Sequence, residues 1–312
     1  MNEIDTKESV TQKVKLPNSN NEMEVYLQRE DLIHPFVNGN KYYKLKYNLQ
    51  KAKDENFNTL LTFGGAFSNH IYAVSAAAKL FNFKSIGIIR GEEYKPLNPT
   101  LQFAVNNGME LHYVNRTTYR KRTDSKFREE IAKQFGKVYI IPEGGTNELA
   151  LKGAAEILNN ISIDYDFVCS PVGSGGTLAG LICGLKDTKE AIGFSALKGG
   201  EYLSETIKQL LPPTIKQCNN WTINDHYHFG GFAKINKELI EFMELFNIEN
   251  KITLEPLYTG KMMFGINDLI AKEFFSKGSK IIAIHTGGLQ GLNGMKPIIE
   301  RLYKNSLINK EE

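Results

Sequence analysis

Thr59-Leu60-Leu61-Thr62-Phe63-Gly64-Gly65-Ala66-Phe67-Ser68-Asn69-His70 decides how this chain is built. Thr59–Phe63 is short, apolar and β-branched at its edge, and reads as a strand. The glycine pair breaks it, and the Ala-rich segment Asn69–Phe81 reads as a helix. Ser85–Ile89 then reads as a second strand of the buried kind. Strand, tight turn, helix and strand make the unit from which parallel sheets are assembled. Downstream the rhythm continues with helix Pro99–Asn107, strand Glu110–Val114, helix Ser125–Phe135 and strand Val138–Ile141. After the Glu143–Asn147 turn come helix Leu149–Leu158, strand Phe167–Ser170, helix Leu178–Leu185 and strand Ile192–Ala196. Helix Leu239–Phe246 and strand Ile281–His285 close the series. Upstream, Val25–Arg29 reads as a short strand, Glu30–Asn40 as a loop and Tyr43–Lys53 as a helix. Residues 1–21 are polar and Asn-rich and read as a loose tail. Two successive α/β blocks imply two domains with a cleft between them, and the rhythm puts their boundary near 145–155.

The bulk properties exclude several classes. At 312 residues, with 41% hydrophobic and 23% charged residues, the chain has enough apolar material for ordinary cores. A net charge of +3 with interleaved signs argues against nucleic-acid or membrane partners. No apolar run approaches the ~18 residues of a membrane span. Glu3, Asp5 and Glu8 leave no signal-peptide core in the first twenty residues. Cys169, Cys183 and Cys218 show neither CxxC spacing nor an even count, which suits reduced thiols in a cytoplasmic protein.

Short motifs lie in the loops. In Asn38-Gly39-Asn40-Lys41, a glycine-asparagine turn precedes a lysine whose amine could project into a cleft rather than lie along a helix. Gly173-Ser174-Gly175-Gly176-Thr177 follows a strand and opens a helix, where N–H groups and the helix dipole favour a phosphate. A dinucleotide fingerprint would need glycine at Leu178 and an acidic residue where Ser195-Ala196-Leu197 stands. The lysine of a P-loop is also missing, which leaves a small phosphate group as the ligand, or a tight glycine turn that serves packing alone. Ser68-Asn69-His70 opens another helix. Ser68 or Asn69 could be a plain N-cap, or could bind a carboxylate or a phenolic oxygen. Tyr258-Thr259-Gly260-Lys261 and His285-Thr286-Gly287-Gly288 read as loops beyond strand-like segments. His226 and His228 make only a weak metal pair, with no acidic or cysteine partner in the pattern.

Taken in order, the motifs at 39–41, 68–70, 173–177, 258–261 and 285–288 resemble the 1-aminocyclopropane-1-carboxylate deaminase/D-cysteine desulfhydrase family. These are pyridoxal 5′-phosphate (PLP) enzymes of fold type II, the tryptophan-synthase-β-like group. The resemblance implies an α/β fold of open, twisted, mostly parallel sheets with helices on both faces. It implies a small domain of about residues 44–150, and a large one of residues 1–43 plus 151–312. It makes Lys41 the lysine that carries the cofactor and then acts as a base at the substrate Cα. Asn69 would face the cofactor's 3′-oxygen, and Ser68, with Asn69 and His70, the substrate carboxylate. Gly173, Ser174, Gly175, Gly176 and Thr177 would hold the phosphate. Tyr258 would orient substrate or assist proton transfer, and Thr259 and Thr286 would stand near the pyridine ring. The implied partner is a small amino-acid substrate, and the implied assembly a homodimer.

The branch is read from three positions. The deaminases carry Glu where Thr259 stands, Leu where Thr286 stands and Gln where His70 stands. Neutral hydroxyls at the ring suit elimination of a good leaving group from Cβ, so D-cysteine-like β-elimination to pyruvate, ammonia and sulfide is expected. Ring-opening deamination of 1-aminocyclopropane-1-carboxylate is the same-class alternative. A non-catalytic binding protein on the same fold is the alternative of another class. Phe67 replaces a Gln of the family pattern, and Phe232 stands where a second tyrosine aligns, which bears on the substrate more than on the cofactor.

Overall fold

The alternation of strands and helices resolves into two sheets. The computed structural model describes residues 4–19 and 23–308. Its strands are β1 (Thr11–Val14), β2 (Glu24–Gln28), β3 (Thr59–Gly65), β4 (Lys84–Arg90), β5 (Met109–Val114), β6 (Tyr139–Ile141), β7 (Phe167–Val172), β8 (Glu190–Ser195), β9 (Trp221–Asn224) and β10 (Lys280–Ile284). One sheet has the order β5-β4-β3-β6 and is parallel throughout. The other runs β1-β2-β10-β7-β8-β9, with β1–β2 as its antiparallel pair.

Side-chain alternation along the strands explains why helices cover both faces. In β7 and β10, Val168, Ile282 and Ile284 join one core cluster, whereas Cys169, Ile281 and Ala283 join another. The first cluster takes Leu178, Leu181 and Ile182 of helix Gly176–Leu185. The second takes Leu239 and Phe246 of helix Lys237–Asn250 and Ile266 of helix Thr259–Ala271. Around β3, Leu60 packs with helix Asn69–Leu80, while Leu61 and Phe63 pack with Tyr119 and Ile131 on the opposite face. Leu60, Leu151, Ile182 and Ile282 share one cluster, so a single apolar core runs between the two sheets. Each such buried Leu or Ile contributes about 1.5–3 kcal/mol relative to an exposed one.

Several expectations need correction. Residues 11–14 of the supposed loose tail form β1, held because Thr11 Oγ1 donates to Gln28 Oε1 at 2.6 Å and Ser9 Oγ to Glu30 Oε1 at 2.7 Å. Residues 1–3 and 20–21 of that tail lie outside the described residues. Tyr258–Lys261 is not a loop, because Thr259 starts the helix Thr259–Ala271. The strand β9 and the helices Tyr202–Leu210 and Leu292–Ile308 were not anticipated. Among the described residues no helix is long and apolar enough to cross a membrane.

Candidate active site

Parallel strands deliver their following loops to one side, and the carboxyl ends of such strands are where ligands bind in open α/β sheets. Because β2, β10 and β7 are neighbours, the turns after them meet. Gly39 makes the closest of these contacts. It has φ +59°, and a Cβ on it would stand 2.0 Å from the Thr286 carbonyl oxygen, so only glycine fits there. Gly39 caps the helix Asn40–Asp54, which begins earlier than expected. Lys41 therefore lies in the first helical turn, not on the turn before it. Its Nζ donates to Asn40 Oδ1 at 2.8 Å, and Asn40 Nδ2 donates to Thr177 Oγ1 at 2.8 Å. The lysine and the glycine-rich loop are thus joined through one side chain. Burial lowers the Lys41 amine to about 8, against the opposing pull of the Glu255 carboxylate.

The glycine-rich loop leaves β7 and enters helix Gly176–Leu185, with Gly175 at φ +82°. Lys44, one helical turn beyond Lys41, reaches it. Only 2% exposed, its Nζ donates to Thr146 Oγ1 at 2.8 Å and to Ser174 Oγ at 3.4 Å. A Cβ at Gly176 would stand 2.9 Å from that amine, so the bare glycine is what admits it. Burial, then the charge of Lys41, holds the Lys44 amine well below the ordinary lysine range. A buried amine whose hydrogen-bond partners are hydroxyls beside a helix N-terminus fits an anionic group such as a phosphate.

At the turn after β3, Ser68 is the N-cap of helix Asn69–Leu80, its Oγ accepting from His70 N at 3.2 Å and Ile71 N at 3.3 Å. Asn69 lines a cleft of about 310 Å³ with Lys41, Asn38, Tyr72, Thr286 and Gln290. Gln290 Nε2 donates to Asn69 Oδ1. His70 is 3% exposed and is not on that wall. Thr62 Oγ1 donates to the Ile141 carbonyl at 2.9 Å, so His70 Nε2 is the donor in its 2.8 Å contact with Thr62. Burial keeps the ring neutral well below its usual range.

Tyr258 stands over the glycine-rich loop: a Cβ at Gly173 would lie 3.1 Å from its ring. Burial raises its phenol, with Glu255 and Glu143 acting in the same direction. Phe232 meets the Tyr258 ring edge-on at 6.1 Å, and Phe67 is half exposed against Gly294. Thr259 is fully buried and turned toward Glu255, whose N–H donates to its Oγ1 at 3.0 Å. The Glu255 carboxylate accepts from Leu257 N at 2.8 Å, Tyr258 N at 2.9 Å and Thr259 N at 2.6 Å. Lys261 is tied to the His228 and Gly231 carbonyls at 2.8 and 2.9 Å, which fixes the loop carrying Phe232. Asn40, Lys44, Glu255 and Gln290 were not anticipated. Lys44 carried a signal, since residues three apart share a helix face. Glu255 carried a weaker one, an acidic residue just before a helix.

Comparison with known proteins gives this arrangement its class. Residues 4–287 match the family described as "Pyridoxal-phosphate dependent enzyme", so the chain is a PLP-dependent enzyme. A putative 1-aminocyclopropane-1-carboxylate deaminase of Pyrococcus furiosus is 33% identical over 289 residues, covering 86% of this chain and 85% of the relative. A bifunctional D-cysteine desulfhydrase/1-aminocyclopropane-1-carboxylate deaminase, mitochondrial, of Arabidopsis thaliana is 30% identical over 303 residues, covering 89% and 75%. A solved structure described as an ACC deaminase homologue has a TM-score of 0.81 at 27% identity, covering 96% of this chain and 95% of that one. This chain therefore belongs to the 1-aminocyclopropane-1-carboxylate deaminase/D-cysteine desulfhydrase family. Serine racemase from Dictyostelium discoideum, at TM-score 0.63 and 17% identity, shares the fold alone.

Proposed function

We propose that this enzyme eliminates the β-substituent of a small amino acid of the D-cysteine type, giving pyruvate, ammonia and sulfide with consumption of one water. The observation that carries the lyase site is the Lys41–Asn40–Thr177 link, which supports one small molecule bridging the amine and the glycine-rich loop. Lys41 would hold the cofactor through its amine, and the freed amine would then take the proton from the substrate Cα. Gly173, Ser174, Gly175, Gly176 and Thr177 hold the phosphate, and Lys44 supplies its countercharge. Ser68 and Asn69 form the helix start that receives the substrate carboxylate, and His70, whose backbone N–H is already given to Ser68 Oγ, supports that start from behind. Tyr258 covers the reacting atoms and moves a proton at Cβ or the leaving group. Thr286 borders the ring, and Thr259 supports it indirectly through Glu255. When bound, the cofactor supplies a conjugated ring that disperses charge from Cα.

The choice of β-elimination is supported by the acidic groups near Lys41, which are already engaged. Asp31 is paired with Arg29 at 2.7 Å, and Glu255 accepts three main-chain N–H groups. Ring-opening of 1-aminocyclopropane-1-carboxylate is the second reading, favoured by the Pyrococcus relative. Sulfide release from D-cysteine against 2-oxobutanoate release from the cyclopropane acid tests the choice, and 2-oxobutanoate without sulfide would reverse it. We also propose a small domain of residues 44–150, a large domain from the remainder, a cytoplasmic location and a homodimer. Light scattering tests the last.

A further inference from the structure

We propose that Gln290 is a positioning residue that locks the Asn69 carboxamide so that its N–H group, not its carbonyl, faces the cofactor. This rests on the reading above that Asn69 meets the cofactor's 3′-oxygen. Gln290 lies on a short turn, Leu289–Gly291, that follows β10 of the larger sheet. Its side chain is gripped by two groups from helices packed on the smaller sheet. Thr100 Oγ1, in the helix Pro99–Asn106, donates to Gln290 Oε1 at 3.0 Å. Thr100 is itself only 2% exposed. With its oxygen engaged by a hydroxyl donor, Gln290 turns its Nε2 to Asn69 and donates to Oδ1.

An amide can present either end to a ligand, and the end is chosen by what its other end bonds. Because Gln290 takes Oδ1, the Asn69 Nδ2 points to the side of Gly288, where a Cβ would lie 2.5 Å from it. Gln290, Asn69, Lys41, Thr286 and Gly288 all line the same cleft. The donor is thus held ready for an anionic oxygen, and the relay Thr100–Gln290–Asn69 crosses from one sheet's helices to the other sheet's loops. A fixed donor is worth more to an ionised acceptor than one that must first rotate.

The test compares PLP with 3-deoxypyridoxal 5′-phosphate, which lacks the oxygen in question, by equilibrium titration of the cofactor-free protein. The proteins compared are wild type, Gln290→Glu, Gln290→Met and Asn69→Ala. A carboxylate at 290 cannot donate to Oδ1, so Gln290→Glu rotates the Asn69 amide, and Gln290→Met frees it. Both should weaken PLP roughly tenfold, the scale of one hydrogen bond to a charged group, while leaving affinity for the 3-deoxy compound unchanged. Equal weakening of both ligands would mean general damage to the site and would overturn the proposal. No weakening of either ligand by the Gln290 variants, with Asn69→Ala losing affinity for PLP but not for the 3-deoxy compound, would overturn it while the Asn69 reading survives. Wild type binding both ligands equally would remove that reading and the proposal with it.

Discussion

Lys41 and Lys44 are both buried amines lowered below the ordinary lysine range, and the proposed function gives them opposite uses. The Lys41 amine, lowered to about 8, must be neutral to attack an aldehyde, so the rate of PLP capture by the cofactor-free protein should climb to about pH 8 and then level. Stopped-flow capture rates that keep rising toward the ordinary lysine range near 10.5 would contradict this. Lys44 is charged only against its environment. Its folded-state value lies below the unfolded one, so the unfolded chain binds more protons and stability rises with pH toward the free-lysine range. Lys44→Met should remove part of that rise in the cofactor-free protein, the lowered Lys41 and Lys261 amines supplying the rest, measured by urea unfolding at pH 7 and pH 9.5. The same variant should weaken PLP roughly ten- to hundredfold, because a charge-assisted contact to the phosphate is lost. The lysine at 41 was legible in the sequence because Gly39 and Asn40 mark it. Its neighbour at 44 looks like any helical lysine until the tertiary fold brings Thr146 and Ser174 to its tip.

At the level of elements, the helix Thr259–Ala271 explains where sequence reading stopped. Its first residues, Thr259-Gly260-Lys261, have turn composition, which outweighs the weak local signal of Glu255, the acidic residue whose carboxylate accepts the N–H groups at its start. Strands of the parallel sheets were readable because burial on both faces makes them continuous apolar runs, as in Ile281–Ile284. Short half-buried strands such as Trp221–Asn224 lack that signature. Glu255→Ala should cost about 1–3 kcal/mol of stability by orphaning the N–H groups of this helix start, read by thermal or urea denaturation. Glu255→Gln keeps an acceptor and should recover part of the loss. If Glu255→Ala unfolds no more easily than wild type, the carboxylate is not the cap described here.

For the whole molecule, the proposed site would make the cofactor a fastener as well. Its proposed contacts lie on the turn after β3, the helix Asn40–Asp54 and the turns after β7 and β10, so binding ties the two sheets together through one ligand. PLP at a hundred times its dissociation constant should stabilise the protein by about 2.7 kcal/mol, observable as a rise in Tm. Gly39→Ala should lower Tm with or without PLP, because the added methyl would collide with Thr286 wherever the ligand is.

The antiparallel strand β1 has a consequence at the rim. Paired to β2 from Thr11↔Gln28 to Val14↔Val25, it occupies backbone groups that would otherwise be open to another chain. A chain shortened by its first fifteen residues would offer β2 as an unguarded border, ready to recruit a strand from a neighbour. Such a chain should elute as larger species on gel filtration while the full chain does not, which makes those few residues a safeguard against clumping.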